Sequence, residues 1–322
     1  MDVSIIIVNY NTTLLLMDTI DSVFEKTESI EYEIIVVDNN SPNDPEAILT
    51  EKYGEKIIYL SLSENIGFGR ANNEAAKIAK GRNLFFLNPD TIVLNNAVKV
   101  LSDYLDNNPK VGCCGGNLLD KEGVPAHSFG RFFVSSLFYE INQLFLRLPE
   151  KILYGKNSFY NHTNYPMKVC FITGADLMVR KSVFDRLNGF DPDFFMYFEE
   201  AELEYRVAKE GYKIMSVPNG LIIHLEGKSC QNNLVRLEKN VISRNIFLQK
   251  TKSSVVVFII NTMFFARILT RLFICFIMND NEKMAVYKLW LGIKKKFASQ
   301  VDTGEAQLYV KKRGKQWPNK KA

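Results

Sequence analysis

The sequence predicts an α/β fold whose core is a doubly wound, mostly parallel sheet. Across the first hundred residues, short β-branched runs alternate with segments of helical periodicity, and polar residues follow each run. Right-handed crossovers between parallel strands bring their carboxyl ends to one edge of the sheet. Because open α/β sheets bind ligands at that edge, the polar strand ends are the candidate functional positions.

Local spacing justifies the individual elements. Residues 3–8 are almost all β-branched, as expected of a parallel strand that is buried on both faces. Leu16, Ile20 and Val23 follow at the spacing of one helix face, and a second helix is predicted over residues 70–80. The other early strands are predicted at Glu33–Val37, Ile57–Leu60 and Leu84–Leu87.

The second half of the chain mixes strands and helices. A strand over residues 169–180 is predicted with a break at Thr173-Gly174-Ala175, and a helix is predicted from Glu199 onward. Within that helix, Glu202 and Arg206 are spaced as an i,i+4 ion pair. Two short strands, at residues 213–217 and 221–225, are predicted on either side of a turn.

Two acidic positions are candidates for chemistry. The strand at residues 84–87 ends in Asn88-Pro89-Asp90, and Glu199-Glu200 follows about a hundred residues later. One carboxylate could hold a divalent cation against a diphosphate, and another could take a proton from an acceptor hydroxyl. The residues alone leave plainer interpretations open: Asp90 as a turn residue, the glutamates as a solvated helix start, and His224 as a core histidine.

Two classes of nucleotide-binding protein are excluded by motif. The turn after the first strand contains no glycine, so the G-x-G-x-x-G of a nicotinamide dehydrogenase does not occur there. A Walker phosphate loop is not found either. Gly67 and Gly69 follow the third strand without a third glycine, which predicts a tight strand-to-helix turn.

Charge is concentrated at the carboxyl end of the sequence. The net charge is +4, but residues 294–322 contain nine Lys or Arg and only two acids. Such a tail could be a solvated end, a patch for anionic lipid or a nucleic-acid arm. We expect an anionic membrane surface and no nucleic acid as the partner. Five cysteines without a C-x-x-C pair, and a first segment unlike a signal peptide, predict a cytoplasmic location.

Two segments have the composition of membrane-facing helices. Residues 132–148 are rich in Phe and Leu, and residues 255–278 are mostly apolar and long enough to span a bilayer. Arg267 and Arg271 interrupt the second segment and would be costly at the bilayer centre. They are therefore predicted to form the polar side of a helix or helical hairpin that lies in the interface. A buried helical cap on the domain is the alternative.

The order of the motifs resembles family 2 glycosyltransferases of the GT-A fold, particularly the rhamnosyltransferase-like members of bacterial polysaccharide assembly. The resemblance covers roughly residues 3–250. Residues 1–250 are predicted to form the GT-A domain, and residues 251–322 an amphipathic helical segment with a basic tail. The matching stretches are Ser4–Asn11, Val36–Ser41, Asn65–Asn73, Phe86–Thr91, Gly174-Ala175, Gly189–Asp191, Phe195–Glu200, Leu203–Arg206 and His224.

The resemblance also implies roles for individual residues. Asp90, at the last position of the family's D-x-D motif, and His224 would bind Mg²⁺ or Mn²⁺. Glu200 aligns with the catalytic base, which is an Asp in the family, and Glu199 is the reserve candidate. The residues implied to bind the nucleotide sugar are Asn9, Tyr10, Asp38, Asn40, Asn65, Gly67, Arg70, Asn72, Asn88 and, at the diphosphate, Arg244.

The function that the resemblance implies is an inverting, metal-dependent hexosyltransferase at the inner face of the cell membrane. Its donor would be dTDP-rhamnose, and its acceptor a hydroxyl of a growing, lipid-linked bacterial glycan. A UDP-hexose-dependent transferase of the same fold is the alternative. The alternatives from other classes are a sugar nucleotidyltransferase and a non-catalytic scaffold docked at the membrane. The first would need a glycine-rich loop with a basic residue, which is not found, and the second would not need the metal and base positions that are present here. A processive polysaccharide synthase would need several membrane-spanning helices, which are not found either.

Overall fold

The structure, a computed structural model, describes residues 1–133, 136–225 and 233–301. The basic tail predicted from the sequence continues to residue 322, and the part after residue 301 lies outside the described residues. The chain divides into two compact units. The first unit comprises Met1–Val134, Glu150–Pro192 and Glu199–Gln231, and the second comprises Ser135–Pro149, Asp193–Phe198 and Asn232–Ala322.

Eleven strands are formed by the described residues. They are β1 (Val3–Asn9), β2 (Tyr32–Asp38), β3 (Ile58–Ser61), β4 (Asn83–Leu87), β5 (Thr91–Val93), β6 (Val111–Leu119), β7 (Phe129–Gly130), β8 (Met167–Val169), β9 (Phe171–Ile172), β10 (Asp176–Arg180) and β11 (Lys213–His224). The predicted break at Thr173-Gly174-Ala175 is confirmed, because it separates β9 from β10. Residues 213–225 were expected as two strands, but they form one strand, with a register shift between Ser216 and Leu221 against β6.

The helices of the described residues lie in both units. They are α1 (Thr13–Lys26), α2 (Glu46–Tyr53), α3 (Phe68–Ile78), α4 (Ala97–Asn107), α5 (Leu137–Leu144), α6 (Leu148–Tyr154), α7 (Lys181–Arg186), α8 (Glu199–Lys209), α9 (Asn233–Thr251), α10 (Ser254–Ile277) and α11 (Asn281–Val301). Short 3₁₀ turns lie at Gly54–Lys56 and Gly155–Ser158.

The predicted α/β architecture is confirmed in the first unit. The main sheet has the order β3-β2-β1-β4-β10-β6-β11-β5, with β8 also paired to β11. The pairs among β1 to β4 are parallel, and so is the pair of β6 and β11. Strand β10 runs antiparallel between β4 and β6, so the second half of the sheet is mixed.

The sheet is covered by apolar side chains on both faces, because successive residues of a strand point to opposite sides. On one face, Ile5 and Phe85 pack with the buried stripe of α1 and α4. On the other face, Ile6 and Phe86 pack against the alanine-rich side of α3 and against Leu203 of α8. These two cores fix the strand ends, and with them the polar residues that follow each strand.

The second unit contains the helices of the two membrane-like segments. Among the described residues, one helix, α10, is long and apolar enough to cross a membrane by length and composition. The prediction that Arg267 and Arg271 form its outward polar side is wrong. Arg267 Nη1 lies 3.3 Å from Glu140 Oε2, and Arg271 Nη2 donates at 3.4 Å to the carbonyl oxygen of Gln143. Both arginines find their partners inside the unit, since a buried carboxylate and a helix-end carbonyl attract them.

Candidate active site

The ends of β1 and β2 are joined by a hydrogen-bonded network. Asn9 and Asp38 are register partners, and Asn9 Nδ2 donates to Asp38 Oδ1 at 2.8 Å. The hydroxyl and amide of Ser41 donate to the same carboxylate at 2.6 and 2.8 Å. The buried carboxylate therefore shapes the two loops that carry the exposed side chains of Tyr10 and Asn40. Asn40 has a φ of 63°, a left-handed conformation that asparagine tolerates better than most residues.

The turn between β3 and α3 extends this network along the same sheet edge. Asn65 Oδ1 accepts from Asn39 Nδ2 and from the amide of Gly67, both at 3.1 Å. Asn39 in turn accepts the amide of Ile66 at 3.0 Å. Gly67 has a φ of 89°, which requires glycine. The structure thus brings Asn65 and Gly67 beside the loop that follows β2, as the sequence predicts.

Two other predicted donor-binding residues of α3 have internal partners. Arg70 Nε donates to the carbonyl oxygen of Pro192 at 2.6 Å. Asn72 is buried, and its Nδ2 donates to the carbonyl oxygen of Phe68 at 3.1 Å. Their roles toward a donor stay predictions, and in this state both side chains stabilise the helix and its contact with the loop at residue 192.

Asp90 and His224 lie together beyond the end of β4. Strand β5 pairs with β11 so that Thr91 faces His224, which places His224 Nε2 3.4 Å from Asp90 Oδ1. The amide of Leu225 donates to the carbonyl oxygen of Asp90 at 2.9 Å. From the other side, the hydroxyl of Thr19 on α1 lies within 2.9 Å of the carbonyl oxygens of Pro89 and Thr91. The loop is therefore held by two elements.

The pair fits a divalent cation. Carboxylate oxygen and imidazole nitrogen are suitable ligands for Mn²⁺, and Mg²⁺ takes carboxylates together with substrate phosphates. Two ligand atoms about 2.1 Å from one ion in octahedral geometry are about 3 Å apart, close to the 3.4 Å observed. Among the residues that the structure describes, no cluster of three or more His, Cys, Asp or Glu suited to a metal occurs.

The two candidate base residues begin α8. Glu199 is almost fully buried and packs against Gly69 of α3, whereas Glu200 is half-buried. Burial raises the pKa of both carboxyls, and the neighbouring Glu200 raises that of Glu199 further. The two residues before the helix, Tyr197 and Phe198, have left-handed φ values of 71° and 68°. Such strain in non-glycine residues costs about 1–3 kcal/mol each and is concentrated at functional sites.

Glu204, one turn after Glu200, is a positioning residue that the sequence analysis missed. It is fully buried, and its Oε1 accepts the amide of Ile172 at 2.7 Å. This bond holds the break between β9 and β10 against α8. As a result, a β-carbon at Gly174 would lie 3.2 Å from Glu200 Cδ, so the loop backbone touches the candidate base. The i,i+4 spacing of Glu200 and Glu204 was the sequence signal that could have pointed to this residue.

The same loop connects the candidate base to the candidate metal ligands. The amide of Asn88, two residues before Asp90, donates to the carbonyl oxygen of Ala175 at 3.0 Å. Thr173 donates its hydroxyl to the carbonyl oxygen of His127 at 2.7 Å. The loop that contains Asp90 and the loop beside Glu200 are therefore bonded neighbours within the first unit.

Arg244 belongs to the second unit. It is buried on α9, and its Nη2 donates to Glu140 Oε1 at 2.7 Å. Its guanidinium also lies over the ring of Phe264, 4.5 Å from the ring centre. Its proposed contact with a diphosphate stays a prediction, and its observed role is to neutralise a buried carboxylate.

Comparison with known proteins identifies the family. The model of Glycosyl transferase family 2 matches residues 4–186, more than half of the chain. The chain belongs to this family. The matched region begins within β1 and extends past β10, so it includes Asp38 and Asp90, while Glu200 and His224 lie beyond it.

Several relatives of this family 2 glycosyltransferase are rhamnosyltransferases or O-antigen proteins by name. The O-antigen biosynthesis protein RfbC of Myxococcus xanthus is 29% identical over 70% of this chain and 17% of its own length. Rhamnosyltransferase WbbL of Escherichia coli K12 is 28% identical over 60% of this chain and 72% of its own. The hexosyltransferase Agl10 of Haloferax volcanii is 26% identical, and 64% of its length is matched. The chain therefore spans less than two thirds of RfbC and of Agl10.

Solved structures confirm the GT-A fold. GalNAc-T7, in complex with UDP, GalNAc and Mn²⁺, superposes with a TM-score of 0.57 at 18% identity, over 77% of this chain and 47% of that chain. The mannosyltransferase PcManGT of Pyrobaculum calidifontis, in complex with GDP-Man and Mn²⁺, superposes with a TM-score of 0.53 at 15% identity. That match covers 96% of this chain and 78% of the other.

Proposed function

We propose that this family 2 glycosyltransferase is inverting and metal-dependent, and that it transfers rhamnose from dTDP-rhamnose to a hydroxyl of a growing, lipid-linked bacterial glycan. The observation that carries the proposal is the pairing of Asp90 with His224 at 3.4 Å, on a loop bonded to the one that contacts Glu200. One edge of the sheet thereby combines a candidate cation site with a candidate base.

The donor side is supported by the polar strand ends. The network of Asn9, Asp38 and Ser41 presents Tyr10 and Asn40 to solvent at the edge where α/β sheets bind nucleotides. Asp90 and His224 would hold Mg²⁺ or Mn²⁺. A bound divalent ion supplies positive charge where the diphosphate leaving group becomes more negative.

The acceptor side is assigned to Glu200. Its half-buried carboxyl has a raised pKa, which brings a glutamate closer to the pH at which a general base works best. Glu200 would take the proton of the acceptor hydroxyl while the oxygen attacks the anomeric carbon of the donor sugar, and the bond from that carbon to the diphosphate oxygen would break so that the nucleoside diphosphate leaves. A single carboxylate suffices for one direct displacement, which inverts the anomeric centre. Glu199 is the reserve base, since it is more deeply buried.

The sugar and the acceptor are inferred from the names of relatives. WbbL is called a rhamnosyltransferase, and a Mycobacterium tuberculosis relative is called an N-acetylglucosaminyl-diphospho-decaprenol L-rhamnosyltransferase. The second name describes an acceptor on a lipid diphosphate. A lipid-linked acceptor requires work at a membrane surface, so we propose a cytoplasmic enzyme peripheral to the inner face of the membrane.

The experiment is a donor panel followed by a transfer assay. The purified chain is incubated with dTDP-rhamnose, UDP-glucose, UDP-GlcNAc or GDP-mannose, with and without Mn²⁺, and its thermal unfolding is recorded. We expect dTDP-rhamnose with Mn²⁺ to give the largest rise in unfolding temperature, because a ligand that binds only the folded state stabilises it. The best donor is then tested for transfer to a polyprenyl-diphosphate-linked sugar. Stabilisation by none of the four donors would refute the proposal.

A second candidate is a UDP-hexose-dependent transferase of the same family. The name of Agl10 as a hexosyltransferase and the UDP complex of GalNAc-T7 favour it. The same panel separates the two, because stabilisation by UDP-glucose or UDP-GlcNAc and not by dTDP-rhamnose would select the second candidate.

A further inference from the structure

Two polar side chains of helix α10 bond its own backbone. The hydroxyls of Thr262 and Thr270 donate to the carbonyl oxygens of Phe258 and Ala266, one turn earlier, at 2.9 and 3.0 Å. Both threonines are exposed, yet their hydroxyls are turned to the helix backbone. In hydrocarbon this is the arrangement that avoids an unsatisfied polar group.

Four polar side chains form an internal cluster, which we call the Glu140 cluster: Glu140 of α5, Arg244 of α9, and Asn261 and Arg267 of α10. Glu140 is fully buried, with Arg244 at 2.7 Å from Oε1 and Arg267 at 3.3 Å from Oε2. Arg244 Nη1 donates to Asn261 Oδ1 at 3.3 Å. The guanidinium groups of both arginines also lie within 4.7 Å of the ring centre of Phe264. A buried carboxylate is tolerable only with such partners.

Large apolar side chains are exposed along the whole length of α10. Those exposed by more than two fifths are Val255, Phe258, Ile259, Phe265, Leu269, Phe273, Phe276, Ile277 and, directly after the helix, Met278. On and just beyond α5, Leu137, Phe138, Phe145 and Leu146 are exposed to a similar degree. A surface of this size is unusual for a protein in water and marks an interaction site. The helix is 24 residues long, which is about 36 Å.

We propose that α10 lies with this apolar surface inserted in the hydrocarbon of one bilayer leaflet, and that the Glu140 cluster keeps its charges on the protein side. The inference rests on the proposed membrane attachment and assigns that attachment to the apolar side chains of α10, because Arg267 and Arg271 contact the interior of the unit.

The bilayer is the occupant that these observations favour. Protein interfaces surround an apolar centre with a polar rim that offers hydrogen bonds to the partner. Here the threonines of the exposed surface bond their own backbone, and Arg267 and Arg271 bond the unit's interior. The nine Lys or Arg in residues 294–322 also suit anionic headgroups, each contributing about 1 kcal/mol near such a surface. Apolar insertion plus a basic segment gives two signals for stable attachment.

The proposal predicts how binding depends on salt and on lipid charge. Apolar insertion is not screened by salt, whereas attraction between exposed charges is. Binding of the full chain to neutral phosphatidylcholine vesicles should therefore persist in 1 M NaCl, and anionic lipid should add only a salt-sensitive increment.

The experiment is vesicle flotation of the full chain. Phe258→Glu combined with Phe273→Glu places charges on the exposed surface and should weaken partition into neutral vesicles by at least about 100-fold, because charged side chains are costly in hydrocarbon. Both positions are exposed, so folding is expected to be retained. The matched control is Leu14→Glu with Ile48→Glu, two exposed apolar residues of α1 and α2 in the first unit, which should bind as the wild type does.

Three results would overturn the proposal. They are no binding of the wild type to neutral vesicles, complete release by 1 M NaCl, and a lipid-free dimer that the Phe258/Phe273 variant dissociates, which would make a second copy the occupant. Donor-induced thermal stabilisation is measured on the same samples. If donors do not stabilise the wild-type chain, the proposed transferase function is contradicted. If donors stabilise the chain but it does not bind vesicles, only the proposed insertion of α10 is contradicted.

Discussion

Gly174→Ala is expected to slow catalysis by displacing Glu200. The new methyl group would lie 3.2 Å from Cδ and Cγ of Glu200 and 3.4 Å from Oε1. Carbon atoms pack best at about 3.5–4.0 Å, so the carboxylate must move by about 0.3–0.8 Å. Since a misplacement of about 1 Å at a reacting group can cost 10²-fold, we expect kcat to fall by about 5- to 30-fold.

The assay is steady-state release of the nucleoside diphosphate, together with thermal unfolding. Gly174 does not have a left-handed φ, so alanine suits its backbone, and the half-buried Glu200 can yield without unfolding the protein. Gly220→Ala is the matched control, because its nearest neighbours are at 3.5 Å, an ordinary contact distance. An unchanged kcat in Gly174→Ala, or an equal loss in both variants, would refute the placement of the base at Glu200.

Three further predictions concern the glutamates of α8. Glu200→Gln should lower kcat by about 10²- to 10⁴-fold with donor affinity nearly unchanged, while Glu199→Gln should keep most activity; the reverse result in initial-rate assays would shift the base to Glu199. Burial raises the pKa of Glu200, and a base works only when ionised, so kcat/KM should fall on acidification at a pH above the ordinary glutamate range. Burial also raises the pKa of Glu204 in the folded state. Its contribution to stability is therefore full below the unfolded-state pKa of about 4.3 and is lost as pH rises through the folded-state pKa, at about 1.36 kcal/mol per pH unit. Urea unfolding at several pH values should show that the free energy of unfolding declines less with rising pH in Glu204→Gln than in the wild type. An equal decline in both would contradict this prediction.

The sequence predicts the first half of the fold well because its signals are local. Each of β1 to β4 is a mostly apolar run followed by polar residues, and α1 and α3 each show one apolar face. Asn9 and Asp38 could be placed together in advance, since the ends of adjacent parallel strands share an edge. The pairing of Glu202 with Arg206 is likewise a local i,i+4 prediction, and the structure confirms it at 2.6 Å.

The rest depends on contacts between distant segments, which periodicity does not encode. The antiparallel insertion of β10 between β4 and β6 is set by partners far away in sequence. Glu204 looks like an ordinary helical glutamate until the amide of Ile172 is found against it. From its spacing, Arg267 is expected on the polar side of an interfacial helix. In the structure it faces the interior of the unit, because it pairs with the buried Glu140. Buried polar partners are thus the features that the sequence conceals.

The pairing of Asp90 with His224 provides the most direct test of the central claim, that sugar transfer here depends on a divalent metal. The measurement is donor turnover and donor-induced thermal stabilisation in excess EDTA and after addition of Mn²⁺. We predict that EDTA abolishes both signals in the wild type and that Mn²⁺ restores both. The Asp90→Ala variant should show neither signal, with EDTA or with Mn²⁺. The control Asp18→Ala, at an exposed carboxylate of α1, should behave as the wild type does. Full turnover in excess EDTA, or a fully active Asp90→Ala variant, would contradict the account.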